Sequence, residues 1–473
     1  RPYRELLRYT LQDHDADPGP KQAATVLRAS DRLRARALSE RLARGPSAEG
    51  PGDEATAALR ARVSWLARRA QGLEDEDDTP SPMLLEELRH SEQRLLEQVR
   101  RQRLAAGDSP ANGPSGPSRD ALDVEALRGA LGESEALLEY GLLDDELFAC
   151  IVRPGGVSVR RRLAIWPDVL QALQAVQFQL DALGHGAMTL QAHLPTLTAR
   201  CEARLQRLHA LVWAPLADGL QAVRRVLVVA PPALGSLPFP ALTDGQWALV
   251  EQHEFAWAPS GASAARSLRR AAAGAPQHAF VLGESSHLPH AGDEARAVAA
   301  GFAAATLRLD AEATVDTLRS EAAGQADLLH LACHAQFRAD SPSFSALHLH
   351  DGALTAEQVE ALRLAARVVV LSGCETAGRS ERASAGHDPN DRAAGGDEWV
   401  GLVRAFLLAG AARVVASLWP VDDHVTGEFM VAFYRALAGG AAPARALQQA
   451  QQALRRAHPH PFHWAAFALY GGW

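Results

Sequence analysis

A chain of 473 residues exceeds the usual size of a single domain core, so one large folded unit plus an accessory region is expected. Its formal charge of -8, with Arg, Asp and Glu mixed along every segment, leaves no broad basic field and argues against direct nucleic-acid binding. Four scattered cysteines, Cys150, Cys201, Cys333 and Cys374, do not make a small disulfide framework, and no apolar run approaches the roughly 18 residues of a membrane span.

No basic patch followed by an apolar run opens the chain, so a signal peptide is not expected either, and a reducing, cytoplasmic setting is. Residues 1–107 read as a helical accessory region. Leu33, Leu38 and Leu42, then Leu59, Val63 and Leu66, then Leu84, Leu88, Leu95 and Val99 recur near helical spacing between charged residues. Such stripes need a partner, either further helical repeats or another protein. The acidic run Glu74 to Asp78 reads as a solvated loop, and residues 108–119, rich in Gly, Pro and Ser, read as a linker.

The pattern changes from residue 120. In 120–223, Leu147 to Val152 and Val157 to Leu163 flank Pro154, Gly155 and Gly156, which predicts a hairpin, and a helical stretch follows from about Pro167 to Val223. In 224–473, short apolar runs lie at Val226 to Ala230, Ala279 to Gly283, Asp327 to Ala332, Arg367 to Ser372 and Arg413 to Leu418, with helical patterns between several. This alternation predicts an α/β fold with a mostly parallel sheet covered on both faces and with its chemistry beyond the carboxyl ends of strands.

Two runs end in reactive side chains. One carries Leu328 to Ala332 into Cys333 and His334, and the other carries Val368 to Leu371 into Ser372, Gly373 and Cys374. As neighbouring parallel strands they would bring an imidazole and a thiol to one edge, where the imidazole makes the thiolate available for attack on a carbonyl. Gly373 would allow close approach, and the N–H groups of Ala335 and Cys374 are candidate donors to an oxyanion. Taken singly, a strand-end His or a lone Cys is more often structural. His330, Cys333 and His334 do not form a familiar metal set, because strand alternation sends Cys333 to the other face. His458, His460 and His463 lack a Cys or carboxylate to complete one, so neither metal nor cofactor is expected.

The segments LLHLACHAQF (Leu328 to Phe337), VVLSGCETAGR (Val369 to Arg379) and GGDEWVGLVRAFLLAGAARVVASLWPVDD (Gly395 to Asp423) occur together. VVAPPALGSLPFPAL (Val228 to Leu242), FYRALAGG (Phe433 to Gly440) and HPFHWAAFALYG (His460 to Gly471) accompany them. With these motifs the chain resembles, over roughly residues 128–473, the CHAT family: caspase-like domains often attached to tetratricopeptide repeats. The resemblance implies a caspase-haemoglobinase-like α/β sandwich with a mostly parallel central sheet, preceded by the α-helical region. It assigns His334 and Cys374 as the dyad of a cysteine endopeptidase acting on a protein or peptide substrate.

Where the family often has Gly after the catalytic His, this chain has Ala335, which keeps the N–H. The polar stretch Ser380 to Gly396 is longer than in many relatives and reads as a surface loop. Family relatives serve in signalling, bacterial defence and cell death, which implies a latent state relieved by an activating protein, an upstream sensor or cleavage. Distantly related separases follow a similar Leu-Trp with an acidic residue that recognises a basic side chain. By that likeness Asp423, with Asp422 the poorer candidate, selects Arg or Lys before the cut, and Trp419 lines the cleft or packs in the core. The competing expectation is a catalytically silent interaction scaffold.

Overall fold

The computed structural model describes residues 2–34, 54–75, 81–105, 122–184, 193–269, 276–286, 288–338, 341–373 and 401–473. The chain divides into two compact units, Arg1–Pro46 together with Asp120–Trp473, and Ser47–Arg119. The expected helical region 1–107 is therefore shared between them.

In the smaller unit, helices Glu54–Asp75 and Pro82–Ala105 pack along their apolar stripes, with Val63, Leu66, Leu84, Leu88, Leu95 and Val99 buried. Gln102 donates to the Thr56 hydroxyl at 2.8 Å and Arg62 pairs with Glu87. Each helix supplies the cover that the other one's apolar face needs.

In the larger unit, helices Pro2–Ala16 and Pro20–Asp31 bury Leu7, Leu11, Val26 and Leu27. Arg4 and Arg8 both reach Asp144, at 3.0 and 3.1 Å. The core is one sheet of eleven strands. They are β1 (Glu135–Leu143), β2 (Glu146–Arg153), β3 (Gly156–Ile165), β4 (Arg225–Val229), β5 (Glu254–Trp257), β6 (His278–Gly283) and β7 (Ala304–Leu309). The others are β8 (Leu328–Ala332), β12 (Val368–Leu371), β13 (Arg413–Ser417) and β14 (Phe467–Gly471). A small second sheet holds β9 (Ala335–Gln336), β10 (Ala346–Leu349) and β11 (Gly352–Thr355).

The large sheet runs β3-β2-β1-β4-β5-β14-β13-β12-β8-β6-β7. The joints β3–β2, β2–β1 and β14–β13 are antiparallel and the rest are parallel. Apart from β2, which runs antiparallel between β1 and β3, it is thus two parallel blocks of opposite sense that meet where β14 lies against β13. The predicted hairpin is β2–β3, with Arg153 opposite Gly156. β8 and β12 are neighbours in the interior, fully buried and, His330 apart, apolar, as strands covered on both faces are.

The reversal of sense fixes which edge each motif reaches. β4 runs opposite to β8, so the segment following Val229 leaves from the edge away from His334. Leu237, Phe239 and Leu242 of that segment are completely buried, and Phe239 packs 5.8 Å from Tyr140 and 6.5 Å from Trp213. The proline-rich motif is therefore part of the core. Among the described residues no helix is long and apolar enough to cross a membrane.

Candidate active site at the ends of β8 and β12

β8 and β12 pair in parallel as Val368–Leu328, Val369–Leu329, Val370–His330 and Leu371–Leu331. Beyond the ladder, the Ser372 N–H still donates to the Leu331 carbonyl at 3.2 Å. Gly373 then lies directly against the turn that bears His334. A Cβ at 373 would collide with the Cys333 carbonyl oxygen and stand 3.4 Å from the Ala335 nitrogen, so only glycine permits this approach. The Gly373 carbonyl accepts a hydrogen bond from the Ser417 hydroxyl at the end of β13, at 3.2 Å. Cys374, and the whole stretch 374–400 that includes the predicted loop 380–396, lie outside the described residues.

His334 is half-buried. Its carbonyl accepts from the His348 N–H at 2.8 Å, and its ring stands 5.1 Å from that of His348. Ala335 pairs with Leu347 of β10. Since His334 and His348 form the hydrogen-bonded pair of this antiparallel ladder, Ala335 occupies the alternate position, and its N–H points away from β10.

The described cysteines are not reactive. Cys150, Cys201 and Cys333 are completely buried. Burial, with a smaller contribution from Glu284, pushes the Cys333 thiol up to about 12, and burial with Glu202 does the same for Cys201. Burial also raises Cys150 far above the ordinary thiol range. None of the three is a thiolate at neutral pH.

His330, one strand turn before His334, is enclosed. Its Nδ1 is 2.9 Å from the Tyr434 hydroxyl and its Nε2 is 3.1 Å from Glu294 Oε1. Among the described residues no group of three His, Cys, Asp or Glu side chains is placed to hold a metal ion.

The SLWPVDD segment distributes its side chains to three jobs. Trp419 is 1% exposed, donates its indole N–H to the Phe462 carbonyl at 3.0 Å and stacks on the Phe462 ring. Asp422 caps helix Asp423–Ala438, its Oδ1 accepting from the Val425 N–H at 3.0 Å. Asp423 turns elsewhere. Its Oδ2 accepts from the His290 N–H at 2.9 Å, which ties the segment after β13 to the segment after β6. It lines a pocket of about 530 Å³ together with His290, Glu294, Glu428, Val431 and Leu454. Burial raises its carboxyl above the ordinary range, and the nearby Glu294 charge adds to the rise.

Local sequence gave no sign of Glu294 or His290 as pocket residues. Both belong to the start of helix Ala291–Ala300, whose amphipathic pattern is that of any surface helix. Only the crossing of that helix with Asp423–Ala438 brings them to Asp423.

This is a caspase-like α/β sandwich in which β8, leading to His334, lies beside β12, leading to Gly373. The CHAT-domain model matches residues 202–472, and the chain belongs to that family. Tetratricopeptide repeat protein 28 of Mus musculus is 37% identical over 120 residues, and its Homo sapiens counterpart 35% over 120. Each match covers 25% of this chain and only 4% of the relative's length. Among solved structures, a chain of the Saccharomyces cerevisiae separase–securin complex superposes with a TM-score of 0.53 at 10% identity, covering 80% of this chain and 31% of that one. A second structure of the same complex gives 0.54 at 10% identity, with 94% and 40% covered. At that identity the likeness is one of fold.

Proposed function

We infer that this chain is a cysteine endopeptidase in which Cys374 is the nucleophile and His334 the proton carrier. One observation carries the reading. Each residue of β12 is paired with the residue of β8 forty positions earlier, and Cys374 follows His334 by the same forty. The tight seat of Gly373 supports the continuation of that register past the strand ends. Exclusion of the buried Cys333 leaves Cys374 as the thiol of the motif.

The chemistry then follows from the residues. The Cys374 thiol passes its proton to His334 and the thiolate adds to the scissile carbonyl carbon. The negative charge gathers on the carbonyl oxygen, where the Ala335 N–H and that of Cys374 serve as donors. Collapse breaks the C–N bond, His334 protonates the leaving amine, and water assisted by His334 cleaves the thioester and restores the thiol.

Asp423 gives the site its preference for Arg or Lys before the cut. Asp422 is engaged as a cap and Trp419 is in the core, which leaves Asp423 as the acid of the segment that faces a pocket. The substrate is a protein partner in a regulated, cytoplasmic defence or signalling circuit, with an activating protein or upstream sensor controlling the enzyme. The test is a positional-scanning peptide library with intact chain, Cys374→Ala and Asp423→Ala, run with and without candidate activators. Cysteine-dependent cleavage after Arg or Lys that weakens in Asp423→Ala supports the reading; equal turnover by Cys374→Ala refutes it.

A silent scaffold is the second reading, favoured by the helical hairpin of the smaller unit, where Trp65 and Met83 are 50% and 79% exposed. Capture of a partner by Cys374→Ala, followed by exposure of that partner to intact enzyme, separates the two. An uncut partner favours the scaffold.

A further inference from the structure

Glu294 sits in the first turn of helix Ala291–Ala300, is 6% exposed and lines the same pocket as Asp423. Its Oε1 and the His330 Nε2 stand at ion-pair distance, 3.1 Å, yet neither atom makes an aligned hydrogen bond among the described residues. Oε1 is turned inward to His330 and sealed from water, so a cation in the pocket meets Glu294 through its other oxygen, which is not sealed in this way. Asp423, by contrast, already has one oxygen engaged by the His290 N–H.

We propose that Glu294 is a second acidic specificity residue, which together with Asp423 makes this pocket select arginine over lysine. The inference rests on the reading of Asp423 as the acid that meets the residue before the cut. An ammonium is a compact point charge that one carboxylate can answer, whereas a guanidinium carries five donors in a planar fork. Two carboxylates on two different helix starts suit the fork, one at each edge. Burial is the main cause that raises Asp423, and the smaller part that Glu294 adds by repulsion is relieved when a single cation lies between the two. Val431, Ala432 and Leu454 supply an apolar wall for the methylene stem. The other two acids of the wall are engaged, Glu428 at 3.0 Å by His458 and Asp293 at 3.0 Å by Arg296, and among the described residues Arg435 is the one guanidinium that the wall itself carries.

The test uses the full chain carrying Cys374→Ala, so that peptides bind without being cut. Three peptides differing only in Arg, Lys or citrulline before the scissile bond are titrated by calorimetry. The Arg peptide is expected to bind about tenfold more tightly than the Lys peptide, as a fork answered by two carboxylates should. Glu294→Gln should remove most of that difference by weakening Arg alone, and Asp423→Asn should weaken both. Glu294→Asp, which keeps the charge near His330 but draws it back from the pocket, gives the same comparison if the Gln variant does not fold. An Arg-to-Lys ratio unchanged in the Glu294 variants, with both peptides still weakened by Asp423→Asn, overturns this inference alone. Basic peptides binding no better than citrulline overturns the Asp423 reading on which it rests.

Discussion

Gly373 lies so close to the Cys333 carbonyl that any side chain at position 373 would overlap its oxygen. The contact joins the two strand ends through backbone alone. Gly373→Ala must therefore push β12 and β8 apart at their carboxyl ends. We expect a loss of about 1–3 kcal/mol of stability, the ordinary cost of overpacking, and a fall in kcat far larger than that loss explains. Thermal unfolding and peptide turnover of the same preparation check it. An Ala variant with unchanged turnover would show that the approach of these strands is not needed for activity.

The adjacent acids Asp422 and Asp423 should separate cleanly. Asp422→Ala removes a helix cap and is expected to cost about 1 kcal/mol in urea unfolding, with the residue preference of cleavage intact. Asp423→Ala should weaken the basic preference. The comparison is made on one peptide series, and a change of preference in Asp422→Ala would reverse the assignment.

The SLWPVDD segment also shows how far local sequence reaches. β8 and β12 were legible because apolar runs of Leu and Val end abruptly in His334 and Cys374, and the hairpin β2–β3 because Pro154 and Gly155 interrupt it. β1 was not, since EALLEYGLL carries Glu139 in its middle and its leucines suit a helix equally well. β5 is only EFAW, too short for alternation to register. The opposed sense of the two parallel blocks was invisible, because a side-chain period of two does not encode strand direction. The division of labour among Trp419, Asp422 and Asp423 was likewise undetermined until the crossing of helices Ala291–Ala300 and Asp423–Ala438 set it.

His460 predicts a pH dependence of stability. It is 2% exposed, its Nδ1 accepts from the Phe462 N–H at 3.1 Å, and its buried Nε2 has no hydrogen-bond partner among the described residues. Burial, reinforced by the neighbouring His463, lowers it to about 4. An unfolded histidine titrates near 6.5, so below that pH the unfolded chain takes up a proton that the folded chain refuses. The native state should hold its full stability above about pH 6.5 and lose up to about 3 kcal/mol between there and pH 4. Urea unfolding across this window checks it, with His460→Asn expected to flatten the slope. An equal slope in the variant would assign the effect to other groups.

The dyad can be tested most directly by the acidity of Cys374 itself. The alkylation rate of Cys374 is followed by peptide mass spectrometry from pH 5 to 10 in the intact chain and in His334→Ala. The buried Cys150, Cys201 and Cys333, raised far above the ordinary thiol range, should react slowly throughout. If His334 accepts the thiol proton, the Cys374 thiolate should form below the ordinary pKa of about 8.5 and should shift upward by at least about one unit in His334→Ala. Identical titration of Cys374 in the two proteins would contradict the dyad.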